Sequence, residues 1–403
     1  MILDEQTTPL FQTGTLGEEA ERKIIGGLLD HSFSFLQDPR IQRRLASYVR
    51  ARPAEKDMLI LELMNLFWNI PYGKQLFLVF RDFDNIIGLL GKKGHFVHQF
   101  EVFIFGLYLI IHLLQFGSHK KSLFKFDNDN KIFFTWLLAS TVHDLGYSLQ
   151  VAKDIIAKFS DLYLKIYMKN LSKKYKSIEK NYKIDNEIDL TKVKIIRNGR
   201  SYLVQNEAFL LDGIQASLNI NKASAVQLQK TLKATNNHGY TSSLILCRAY
   251  LEHAYKKKGL MSSSKDWRIE ALRKASSAIV LHALPLLFKA YRRKIRFDLN
   301  PFAFILILID NLQEWSRTLP QNEIWPSYHL INFSHEDNQI HLSYLLEHDN
   351  WTRAIEREVR NYLLQKKQMI SQLIRPRPPL GFQVVVDFST NHGHRYDKII
   401  VKL

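Results

Sequence analysis

Val142-His143-Asp144-Leu145-Gly146-Tyr147 closes an apolar run that begins at Lys131. A run of that length without proline predicts a buried helix over residues 131–149 that ends in the histidine–aspartate pair. Burying such a pair is costly unless it is hydrogen-bonded, charge-paired or bound to a cation. Four further metal-capable side chains lie outward from it, each in its own apolar, helix-like stretch. His98 lies in residues 94–117, His238 opens 238–258, His282 sits in 267–290, and Asp310 lies in 301–317. The gaps between these positions are tens of residues long, so each ligand falls on a different helix. A bundle can aim side chains from separate helices at one interior point. Imidazole together with carboxylate suits divalent metals such as manganese, iron or zinc. A carboxylate next to a histidine can bridge two ions, and a close ion pair activates water while clamping a phosphate. Divalent metal ions, two of them and drawn from manganese, iron, magnesium or zinc, are therefore the expected cofactors.

Composition narrows the partners. Hydrophobic residues make up 46% and charged residues 24% of the 403, as in a soluble globular protein. The formal net charge of +17 concentrates anions near the surface and favours phosphate-bearing ligands, nucleic acid or an anionic membrane. One cysteine, Cys247, excludes an intrachain disulfide and a cysteine-rich zinc site. Residues 1–14 carry Asp4 and Glu5 and no basic segment ahead of an apolar run, so no secretory signal is expected and the expected location is cytoplasmic. The apolar stretch Phe100 to Phe116 is interrupted by Glu101, His112 and Gln115. A span needs about 20 nearly charge-free residues, so this stretch is expected to be a core helix and no membrane partner is expected.

The expected class is mainly α: a helical bundle followed by a small C-terminal α+β domain. Residues 1–90 read as amphipathic helices packing on the core, broken at Pro71, and residues 91–320 as the metal-binding domain. Within it, residues 160–205 form a basic insert, crowded with Lys165, Lys169, Lys173, Lys174, Lys180, Lys192 and Arg200, read either as a cap over the site or as a solvated loop. Helices resume over 223–234. Residues 325–403 form the α+β unit, with a hairpin of 328–333 and 339–345 about the turn 335–338, a helix 351–373 stopped by Arg375-Pro376, and strands over 382–388 and 398–401. That unit suits dimerisation or regulation, which makes a homo-oligomer a candidate assembly.

The ordered set His98, His143-Asp144, His238, His282 and Asp310 resembles the HD superfamily of metal-dependent phosphohydrolases, over roughly Gly94 to Arg317. The resemblance implies an HD-type helical bundle. His98, His143, Asp144 and Asp310 would hold one metal, and His238 and His282, with Asp144 bridging, the second. Asp144 and His238 would stand closest to the chemistry. His95 rivals His98, but the family's aliphatic residue four positions on is Val102 for His98, whereas His95 has Gln99.

The chain contains its own control. His348-Asp349 is a second such pair, without an apolar lead-in, and reads as a surface pair. His392 and His394 have metal-like spacing but fall in an expected turn. Tyr147, Lys93, Lys233 and Arg317 are candidates to bind substrate; Lys92 and Lys230 belong with them, and each is equally readable as a solvated surface charge. The resemblance implies a hydrolase of phosphomonoester or phosphodiester bonds in a nucleotide or nucleotide-derived second messenger. Two alternatives stand beside it. A dinuclear-iron oxygenase of the same superfamily shares the ligand set, although the inositol oxygenases carry a substrate-binding lysine where Tyr147 stands here. A non-catalytic protein that binds nucleotide or nucleic acid through its basic surface is the other.

Overall fold

The structure, a computed structural model, describes residues 18–30, 35–69, 95–116, 124–146, 192–197, 200–235, 237–256, 267–283, 294–313, 327–336, 339–347, 351–375, 383–390, 393, 395 and 399–402. Three N-terminal helices, α1 (Glu18–Leu29), α2 (Pro39–Arg50) and α3 (Pro53–Asn69), precede the long apolar α4 (His95–Phe116) and α5 (Asp129–Val142). A hairpin of β1 (Lys192–Arg197) and β2 (Arg200–Gln205) leads into α6 (Asn206–Leu218), α7 (Lys222–Ala234), α8 (His238–Lys256) and α9 (Trp267–His282). After the short β3 (Ile295–Arg296) and α10 (Pro301–Gln313) come β4 (Ser327–Glu336), β5 (Gln339–Glu347), α11 (Arg353–Leu373), β6 (Ile374–Arg375), β7 (Gln383–Thr390) and β8 (Ile399–Lys402). The described chain is mainly helical with a small sheet, as the sequence leads one to expect.

Helix α9 is the hub of the bundle. It packs against α5, α6, α8 and α10. Ala271, Ala275, Ser276, Ser277 and Ala278 are all buried along it, and these small residues let neighbouring backbones come close. Ser276 and Ser277 hydroxyls return their hydrogen bonds to Arg273 O, so burial leaves them satisfied. Helix α5 is buried from Ile132 to Val142, and its Trp136 indole donates to Phe103 O of α4 at 2.9 Å. A Cβ at Gly106 would lie 2.0 Å from the Trp136 ring, so glycine is what lets α4 and α5 meet here.

Asparagine starts two of the helices that position ligands, α5 and α10. The Asn128 side chain accepts from Asn130 N and Lys131 N at the head of α5, and Asn300 Oδ1 accepts from Ala303 N at the head of α10, with Pro301 at its first position. The Asn300 amide nitrogen also donates to Ser217 Oγ and Ser277 Oγ, tying α10 to α6 and α9 through a buried polar knot.

The C-terminal sheet has the order β4-β5-β7-β8. The β4/β5 hairpin is antiparallel, as expected, but β5 and β7 run parallel with α11 as the crossover between them. The sheet packs through Phe333, whose ring lies edge-on to Tyr108 at 4.9 Å and to Phe105 at 6.1 Å on α4. Helix α1 contacts α2, α4 and β4, and Lys23 donates to Asn332 Oδ1 of β4 at 2.9 Å. One continuous set of buried apolar residues runs from Ala20 to Phe388.

Among the described residues one helix, Val97–Gln115, is long and apolar enough to cross a membrane, and 89% of that stretch is buried inside the protein. It is the core helix the sequence suggests. The strands β1 and β2 and helix α6 were not expected. Most of the basic insert, residues 160–191, lies outside the described residues. Phe333→Ala is expected to lower unfolding free energy by about 3–5 kcal/mol, the usual result of emptying a buried aromatic site. A denaturant midpoint unchanged from that of the native chain would mean the sheet does not share the helical core.

Candidate metal centre

Helix α5 ends at Val142, earlier than the sequence suggests, and His143 follows as its C-cap with φ −55° and ψ −31°. The ring of His143 takes over a last-turn carbonyl, its Nδ1 donating to Ser140 O at 2.6 Å. His282 does the same at the end of α9, with Nδ1 donating to Ile279 O. A carbonyl only accepts, so in both rings Nδ1 carries a proton, and in a neutral ring Nε2 is then the nitrogen with the lone pair. Two helix ends thereby fix two imidazoles in the tautomer a metal needs.

All six expected ligands are buried and converge. His98 Nε2 lies 3.2 Å from Asp310 Oδ1, and His143 Nε2 lies 3.5 Å from that same oxygen and 3.3 Å from Asp144 Oδ2. The other Asp144 oxygen, Oδ1, lies 3.8 Å from both His238 Nε2 and His282 Nε2. Those two nitrogens are 3.3 Å apart. Three overlapping groups have ligand atoms within 4.8 Å of one another: His98, His143 and Asp144; His143, His282 and Asp310; Asp144, His238 and His282. The set fits a divalent cation: two carboxylates supply negative charge, and imidazole lone pairs face them across gaps of ion size.

The electrostatics point the same way. Burial, with His282 close by, depresses the His238 pKa from 6.5 to about 3, so its ring stays neutral. Burial alone would raise Asp310, but its close contacts with His143 and His98 outweigh it and hold the carboxyl well below the usual range.

Close backbone packing brings the halves together. A Cβ on Gly146 would lie 2.1 Å from His238 O, so the turn that holds Asp144 rests directly on the first residue of α8. The Gly146 amide donates to Ser242 Oγ of α8 at 2.7 Å. At Gly239 a Cβ would come within 2.5 Å of Ile279 O, which lets α8 cross α9 beside His282. Asn237 closes the arrangement: its Oδ1 accepts from Tyr240 N at 3.0 Å and its Nδ2 donates to Ala283 O at 3.1 Å. Gly146, Gly239, Asn237 and Ser242 have no counterpart among the sequence candidates. The signal that could have revealed them is adjacency, since three of the four lie within two residues of a ligand.

Of the rival first histidines, His98 is in the cluster; His95 opens α4, and its side chain lies outside the described residues. Lys233 is exposed and pairs with Glu207 Oε1 at 3.3 Å, an oxygen that also accepts from Tyr240 Oη at 2.6 Å. Lys230 is exposed on α7. Tyr147, Lys92, Lys93, Arg317, His348, Asp349, His392 and His394 lie outside the described residues. No family model, no curated protein and no solved structure matches this chain. What stands is a buried group of four histidines and two aspartates able to hold a metal ion.

Two outcomes follow for the isolated protein. Because His238 titrates far below its unfolded value, the unfolded chain binds the extra proton between pH 6.5 and about 3, and stability falls as pH falls through that window. Melting of metal-free protein across that range, compared with His238→Ala, should show a shallower acid slope in the variant; equal slopes would refute the neutral-ring assignment. A divalent ion at about 100 times its Kd should stabilise the native chain by about 2.7 kcal/mol. The same melting shift in Asp144→Ala would place the ion elsewhere.

Proposed function

We propose that this protein is a metal-dependent hydrolase of phosphomonoester or phosphodiester bonds, built on an HD-type centre for two ions and acting on a nucleotide or nucleotide-derived second messenger. The observation that carries the reading is the position of Asp144. One of its oxygens faces His143 and the other faces His238 and His282, so a single carboxylate borders two ligand sets.

In this reading His98, His143, Asp144 and Asp310 would hold one ion, and His238 and His282, with Asp144, would hold the other. Bound ions of this kind supply Lewis acidity, neutralise phosphoryl oxygens and make a water nucleophilic at neutral pH. The protein's own groups prepare the place for that. Asp310 is kept ionised by His98 and His143, and the Ser140 and Ile279 carbonyls orient His143 and His282. His238, kept neutral by its burial, presents Nε2 beside Asp144 rather than a competing positive charge. The +17 net charge favours an anionic substrate, with Tyr147, Lys93, Lys233 and Arg317 as the proposed substrate-facing residues.

The four-imidazole donor set also suits a dinuclear iron oxygenase, and this is the second reading. Mass-spectrometric product analysis separates the two. Manganese-loaded protein incubated with nucleotides, cyclic dinucleotides and short oligonucleotides should turn over one class. His143→Ala and Asp144→Ala should lose that turnover by more than about a hundredfold, beyond the usual loss for an outer-shell partner, while remaining folded. Undiminished hydrolysis in either variant overturns the proposal, and silence of the native protein with bound iron and consumption of oxygen supports the oxygenase.

A further inference from the structure

The second half of the proposed centre, Asp144 with His238 and His282, comes from two helix ends and a turn that share no covalent neighbour. His238 is the first residue of α8 and His282 the last of α9. Helix ends fray readily, yet the two Nε2 atoms stand 3.3 Å apart. Something other than the rings must set that separation.

We infer that Asn237 is the positioning residue of this half-site. Its side chain uses both ends of the amide. Oδ1 accepts from Tyr240 N, capping α8 and fixing the direction in which the helix leaves its first residue, His238. Nδ2 donates to Ala283 O, the carbonyl immediately after His282. One buried amide thus joins the residue before one ligand to the residue after the other. The carbonyl that follows α9 is satisfied by the side chain that caps α8. Gly239 supports the junction by allowing α8 to approach Ile279 O, and the Gly146–Ser242 bond presses the Asp144 turn onto the same end of α8. Asparagine alone among the usual capping residues does both jobs. Serine caps but is too short to reach Ala283 O, and aspartate would set a carboxylate oxygen against that carbonyl.

This inference rests on the metal-binding reading above and concerns how tightly one half of that centre binds. Its test is calorimetric titration of metal-free protein with Mn2+ alone, on the native chain, Asn237→Ser, His238→Ala and Asn221→Ala. Asn221 caps α7 at an exposed position through a bond to Ser224 N, so its substitution removes a helix cap away from the ligands. Asn237→Ser should weaken the binding event that His238→Ala abolishes by roughly ten- to hundredfold, as loss of an outer-shell partner does, and leave any other event unchanged. Asn221→Ala should leave every event unchanged. Unaltered Mn2+ affinity in Asn237→Ser would overturn the positioning role while the metal centre stands. Equal weakening in Asn221→Ala would also overturn it, because general loosening would then explain the effect. If the native chain takes up no Mn2+, the metal reading fails and the inference with it.

Discussion

Two carboxylates buried at the meeting point of five helices are the constraint on which the rest of this structure depends. An ion taken out of water carries a penalty of several kcal/mol even after the protein relaxes around it. Asp144 and Asp310 are buried in a bundle whose core residues, Val142, Leu281 and Ile309 among them, are largely apolar. Imidazoles offset part of that cost, most visibly His98, whose Nε2 lies 3.2 Å from Asp310 Oδ1. They do not cancel the charge. With His238 held neutral, the cluster keeps the negative charge and the donors able to hold a metal ion.

Much of the surrounding construction is geometry in the service of that point. The ends of α5 and α9 each spend a last-turn carbonyl on the Nδ1 of their own terminal histidine, which aims Nε2 inward. Asparagines at the heads of α5, α8 and α10 fix where those ligand-bearing helices begin, and Asn300 and Asn237 each reach past their own helix to hold a neighbour. Glycines at 106, 146 and 239 sit where a Cβ would collide with the next element. Helix α9, lined with alanine and serine, lets all of this close around it.

The fold was largely legible in the sequence because its helices are long and apolar and its ligands lie inside them. The order His98, His143-Asp144, His238, His282, Asp310 identified a cluster that the structure brings within a few ångströms. Helix ends were less legible. Hydrophobicity continues past Val142 and His282, so periodicity extends both helices, whereas the stops are set by long-range contacts: Gly146 against His238 O, and Asn237 on Ala283 O. The β1/β2 hairpin is hard to read because its lysines and arginines merge with the basic stretch before it, although Val193 and Ile195 alternate along β1 and pair with Val204 and Tyr202, which alternate along β2. The parallel pairing of β5 with β7 depends on a crossover that no local pattern encodes.

Anomalous diffraction from crystals grown with Mn2+ tests the central claim most directly. The account predicts two peaks roughly 3.5–4 Å apart, one bounded by His98, His143, Asp144 and Asp310 and the other by Asp144, His238 and His282. A cluster without anomalous density, its imidazoles bonded only to one another and to the two aspartates, would contradict it.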